Sequence, residues 1–136
     1  MSEQQTAIPT SMYREIFDKT PIIGFVVDKN MRIVAMTDRC LTAASLSRQD
    51  VIGSDVFETF PDNPDDPTAD GVQVLRSSLE RAFATGEPEV LPRQRYDARS
   101  EPGGPFQERY WLPENVPVKD SDGNVVYVIH TVVDAT

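Results

Sequence analysis

Phe60-Pro61-Asp62-Asn63-Pro64-Asp65-Asp66-Pro67 carries a proline at every third position from Pro61 on. Proline fixes φ and lacks the N–H that a helix interior or a central strand needs, so the stretch reads as a stiff, exposed connector. Just before it, Asp55 to Phe60 has the pattern of a short helical turn. Just after it, Val72, Leu75, Leu79, Ala82 and Phe83 fall on one apolar stripe of a helix stopped by Gly86, with Pro88 beyond. The connector therefore marks where a set of small helices hands over to one long helix, Val72 to Thr85.

Upstream, residues 1–10 are polar and expected to be flexible, and Thr10 or Ser11 can cap a leading helix over 11–19 that carries Met12, Ile16 and Phe17. Ile22 to Asp28 and Arg32 to Thr37 are β-rich runs around Lys29-Asn30-Met31, the pattern of a hairpin. Asp38 then caps a helical stretch with Cys40, Ala43, Ala44 and Leu46 on it, Ser47 opens a second turn ended by Gly53, and Ser54 caps a third. Short helices with separate caps suit a segment wrapped around something small, which points to a pocket. Downstream of the long helix come three strands, Val90 to Arg99, Gln107 to Val118 and Asn124 to Asp134. Pro113 and Pro117 should interrupt or bulge the middle one. This order predicts an α+β fold: a five-stranded antiparallel sheet with the short helices and the long helix packed on one face, over a cavity.

At 136 residues and 39% hydrophobic content the chain suits one domain. Its 13 basic and 22 acidic residues leave a charge of -9, which argues against nucleic acid and anionic membranes as partners. Cys40 is the only cysteine, so no internal disulfide is available, and a reducing, cytoplasmic setting is expected. No apolar run reaches the roughly 18 residues of a membrane span, so no membrane insertion is expected. A single histidine excludes multi-histidine zinc sites, and Asp62, Asn63, Asp65 and Asp66 lack the spacing of a calcium loop; no metal is expected.

The hairpin Ile23-Gly24-Phe25-Val26-Val27-Asp28 with Arg32-Ile33-Val34-Ala35, the run from Ser47 to Ile52-Gly53, Asp122-Gly123 before the last strand and the closing Asp134-Ala135-Thr136 together resemble a PAS domain. Phe60 to Pro67, the long helix ending Ala-Thr-Gly-Glu-Pro and Glu108-Arg109-Tyr110-Trp111 look more narrowly like the N-terminal PAS sensors of bacterial two-component histidine kinases. The resemblance implies a PAS sensor domain over 11–136 with its core at 22–134. It also implies no kinase chemistry within the domain, a signal exit at Asp134 and Thr136, and an output kinase domain downstream. The flavin-binding photosensors of the family place a reactive cysteine where Val56 stands and a polar amide where Val132 stands, and the haem-binding ones take a histidine from the long helix, which has none. Neither flavin nor haem is therefore expected.

Period-two spacing puts His130 on the same face of the last strand as Val128 and Val132, the face that borders the cavity in PAS domains. His130 reads either as a core histidine satisfied by one neighbour or as a ligand contact. Trp111 matches a cofactor-binding position of the flavin relatives. Arg93, Arg95, Asp97 and Arg99 alternate along one side of a strand opposite Tyr96, and the pattern leaves open whether that side meets solvent or pocket. If inward, Arg95 and Asp97 with His130 would suit a small carboxylate. Val56, Phe83 and Cys40, from the helices above, complete the expected lining.

Three functions follow. One is a sensor for a small cytosolic molecule; another is a ligand-free interaction module that forms a homodimer through Met12, Ile16 and Phe17. The third, an enzyme with Asp97 or Glu108 as base near His130, leaves the terminal Asp134-Ala135-Thr136 unexplained.

Overall fold

The computed structural model describes residues 7–136. Residues 1–6, most of the segment expected to be flexible, lie outside the described residues. A 3-10 turn at Thr10–Met12 leads into α1 (Tyr13–Lys19). The hairpin β1 (Ile23–Val27) and β2 (Ile33–Met36) follows, with Met31 at φ 62° in its turn and the Asp28 carboxylate accepting from the N–H groups of Asn30 and Arg32. Three short helices come next, α2 (Asp38–Ala44), α3 (Arg48–Val51) and α4 (Val56–Thr59). Ser47 caps α3 as its sequence suggests, but α2 and α4 are capped by Thr37 and Asp55, each one residue from the expected Asp38 and Ser54.

The long helix α5 (Gly71–Thr85) buries Leu75, Leu79 and Ala82 and ends on Gly86 at φ 70°. Behind it lie β3 (Glu89–Val90), β4 (Gln94–Arg95), β5 (Ala98–Arg99), β6 (Phe106–Gln107), β7 (Tyr110–Lys119) and β8 (Val125–Asp134). The main sheet is antiparallel, in the order β2-β1-β8-β7-β3, with β4 also on β7; β5 and β6 form a separate ribbon. The expected five sheet positions are present, but the strand expected over Val90 to Arg99 is broken into three pieces. Pro92 cannot donate to a ladder, and the chain leaves the sheet there before rejoining it at Gln94.

β7 runs unbroken through both of its prolines, with its irregularity at Val118/Lys119. In an antiparallel strand the N–H and C=O of one residue point the same way. The Pro113 carbonyl accepts from Leu91 N at 2.9 Å, so the missing donors of Pro113 and, four residues on, Pro117 face the interrupted β3–β4 side and leave the β8 ladder whole.

The core lies between sheet and helices: Phe25, Val27, Ile33 and Met36 from the hairpin, Val51, Val56 and Phe57 from the short helices, the α5 stripe, and Val125 and Val128 from β8. The connector is pinned down, not free in solvent. Phe60 stacks on Phe25 at 5.5 Å, Asp62 accepts from Val72 N at 3.1 Å to cap α5, and Asn63 donates to Asp97 at 2.9 Å. Within the connector only Pro64, Asp65 and Pro67 are exposed. Among the described residues no helix is long and apolar enough to cross a membrane.

Candidate functional site

A cavity of about 200 Å³ opens between α2, the end of α4 and the strands β1, β7 and β8. Of the ten expected lining residues, Cys40, Tyr96, Asp97, Trp111, His130 and Val132 border it. The other four do not. Val56 and Val128 are wholly buried in the adjoining core, where Val128 pairs with Val27. Phe83 packs against the core two turns past Leu75, the α5 residue that reaches the cavity. Arg95 turns toward the connector and borders a second hollow with Asp62, Asn63 and Asp66.

The arginine face resolves accordingly. Arg95 grips Asp97 in a two-point ion pair, Nε to Oδ1 at 2.9 Å and an Nη to Oδ2 at 3.0 Å, and Asp66 lies 3.7 Å away. That guanidinium, with Asn63 and the Arg109 N–H, holds the Asp97 carboxyl below its usual range. Arg95 is thus neutralised by its own chain, so the carboxylate pocket of Arg95, Asp97 and His130 does not form. Arg93 lies over the Tyr110 ring at 4.0 Å and Arg99 over Phe106 at 4.4 Å, both exposed.

His130 sits on the buried face of β8, with Phe25 tilted against its ring at 4.8 Å and Asn115 Oδ1 2.8 Å from Nδ1. Burial pushes its pKa down to about 4. It is a core histidine with one partner, and its ring also borders the cavity. Burial also pushes the Cys40 thiol up to about 12, which makes it packing and not a nucleophile. Burial, with Asp62 nearby, raises the Tyr96 phenol as well, and its hydroxyl donates to the Phe60 carbonyl. Gly71 at the start of α5 makes room for that ring, since a Cβ there would stand 2.6 Å from Tyr96.

Two buried residues were not foreseen. Asn115 and Ser78 are both fully enclosed, and Asn115 Nδ2 donates to Ser78 Oγ at 2.7 Å. Ser78 lies three residues after Leu75 and four before Ala82, squarely within the α5 stripe, and that position was the available signal.

The closing triplet is tied to the cavity wall. Trp111, whose indole donates to the Tyr96 carbonyl at 2.9 Å, is the β7 partner of Asp134. Ala135 N donates to the Tyr110 carbonyl at 2.8 Å, Tyr110 N donates to Thr136 Oγ1 at 3.0 Å, and Asp134 accepts from Thr136 N at 2.9 Å.

The chain belongs to the PAS fold family, whose pattern matches residues 17–136. No curated protein matches the sequence significantly. Among solved structures it is similar to a sensory box sensor histidine kinase from Vibrio cholerae, at 17% identity, TM-score 0.62, covering 100% of this chain and 99% of that one. The PAS domain of BvgS from Bordetella pertussis is 23% identical with TM-score 0.64, over 93% of this chain and 85% of that one. VqmA of Vibrio cholera, solved with a ligand and DNA, is 20% identical with TM-score 0.69, over 93% of this chain and 51% of that one. At these identities the likenesses establish the fold. A PAS domain is a sensory module, and that is the class of this chain.

Proposed function

We propose that this domain binds a small cytosolic molecule in the cavity between sheet and helices and passes its occupancy through β8 to Asp134–Thr136, toward the kinase output domain of a bacterial signalling protein. The observation that carries the reading is Trp111, which borders the cavity on one side and is the strand partner of Asp134 on the other. A ligand that prefers one placement of the β7–β8 pair shifts the population of exit geometries by its differential affinity for the two. VqmA, part of which is similar to this domain, was solved with a ligand, which supports the reading. Neither flavin nor haem enters the proposal; the flavin class's cysteine position, Val56, is buried away from the cavity.

The test is thermal unfolding of the domain against a broad set of metabolites. A molecule present at about a hundred times its Kd adds roughly 2.7 kcal/mol and raises the melting temperature by several degrees. Failure of every member to shift it would remove the reading.

A further inference from the structure

A chain of polar groups with a direction runs through the buried Ser78 and Asn115 to His130 at the cavity wall. It starts at Glu89 on β3, whose carboxylate is held in its ionised, acceptor-only form by Ser78 and by Arg81, the latter at 2.9 Å. Ser78 Oγ lies 2.7 Å from Glu89 Oε1, so its one hydroxyl proton goes there. What remains on Ser78 is lone pairs, and these can only accept from Asn115 Nδ2. The amide is thereby oriented, and its Oδ1, an acceptor, faces His130 Nδ1 at 2.8 Å. The proton of the neutral imidazole therefore sits on Nδ1, and Nε2 is a bare acceptor.

No partner for Nε2 exists among the described residues, although His130 is only 7% exposed and its ring borders the cavity. The indole and hydroxyl donors around it are already used: the Trp111 indole on Tyr96, the Tyr96 hydroxyl on Phe60, Ser45 Oγ on the Ser100 carbonyl at 2.6 Å and Thr59 Oγ1 on the Asp55 carbonyl at 3.0 Å. Asp97 is neutralised by Arg95, and the charged side chains Arg99 and Glu101 are exposed. Beside His130 the surface is aromatic, with Phe25 between His130 and Phe60.

We propose that the cavity takes a flat, uncharged aromatic molecule of one or two rings bearing a single hydrogen-bond donor, a ring N–H or a hydroxyl, which it gives to His130 Nε2. The inference rests on the ligand-binding reading above and deepens it. A lone acceptor open to the cavity selects a donor, because a ligand that displaces water from it without offering a hydrogen bond leaves it unpaired, and an ion would enter without a counter-charge. The volume agrees, since benzene enters an apolar cavity of about 150 Å³ and this one holds about 200 Å³. Ser78 and Asn115 act as positioning residues, because they set which ring nitrogen carries the proton.

His130 is the only histidine of the chain, so ¹⁵N spectra of histidine-labelled protein report it alone. The spectrum at neutral pH should show Nδ1 protonated and Nε2 bare. Indole and phenol are then titrated beside 1-methylindole and anisole, which keep ring and shape but lack the donor. Indole and phenol should bind roughly tenfold more tightly than their methylated counterparts, the worth of one hydrogen bond, and should move the Nε2 resonance. Ser78→Ala frees Asn115 to turn its amide, so it should raise the Nε2–H population and reduce the preference for donors. An Nε2–H tautomer in the unaltered protein, or equal affinity within both pairs, overturns this inference and leaves the ligand-binding reading standing. Binding of none of the four probes, together with no hit among metabolites, overturns both.

Discussion

His130 couples the interior of this domain to pH. Its imidazole is enclosed by Phe25 and bonded to Asn115, and desolvation puts its pKa at about 4 against an ordinary value of about 6.5. The unfolded chain takes up the proton near pH 6.5, whereas the folded chain resists until near pH 4. Stability therefore falls as pH drops between those values, by up to roughly 3 kcal/mol, and is intact above them. The carboxyls held low by partners, Asp97 by Arg95 first, weaken the fold only further down, since their unfolded values lie near 4. Urea unfolding at pH 7, 5.5 and 4.5 should show the decline for the native chain and a much flatter profile for His130→Gln. Parallel profiles for the two proteins would refute this role of the imidazole.

The connector Phe60 to Pro67 joins α4 to α5 and places both over the sheet. Asp62 caps α5 and Asn63 is tied to Asp97, while Pro61 borders the cavity, so its stiffness fixes the roof. Replacing Pro61, Pro64 and Pro67 by glycine widens the unfolded ensemble by about 0.4–1 kcal/mol at each position, so denaturant titration should report a loss of roughly 1–3 kcal/mol. An unchanged midpoint would contradict the argument. Elements whose signal is local, the β1–β2 hairpin, the α5 stripe and the caps of the short helices, were legible within a residue or so from the sequence. The breakup of Val90 to Arg99 was not, because pairing to β7 depends on a partner distant in sequence, and period-two parity fails once Pro92 lifts the chain off the sheet. For the same reason Arg95 and Asp97 could be set together only as an inward pocket with His130, and not as a pair facing Asn63 and Asp66 of the connector. At the site, six of ten expected residues reached the cavity. The Ser78–Asn115 contact stayed hidden because only packing brings together residues 37 apart.

Assembly of two copies turns on a balance between charge and apolar surface. Each chain carries -9, which repels a second copy, yet Ile8, Met12, Tyr13 and Ile16 stand 42–56% exposed on one short N-terminal region. Phe17, expected with them, is half-buried, and Asp18 beside it is buried near Arg48 at 3.8 Å, so α1 is anchored while its apolar side faces outward. The Lys19–Asp38 and Arg48–Asp38 ion pairs, at 2.8 and 2.7 Å, hold that orientation. An exposed cluster of this kind suits self-association through α1, and screening of the like charges by salt should strengthen it, contrary to the behaviour of an ion-paired interface. Light scattering should therefore show a dimer whose dissociation constant falls between 50 and 500 mM NaCl. Met12→Glu with Ile16→Glu should give a monomer whose melting temperature stays close to that of the native chain, because both side chains are largely solvated already. A native chain that remains monomeric at high salt, or a doubly substituted chain that dimerises equally well, would exclude α1 as the contact.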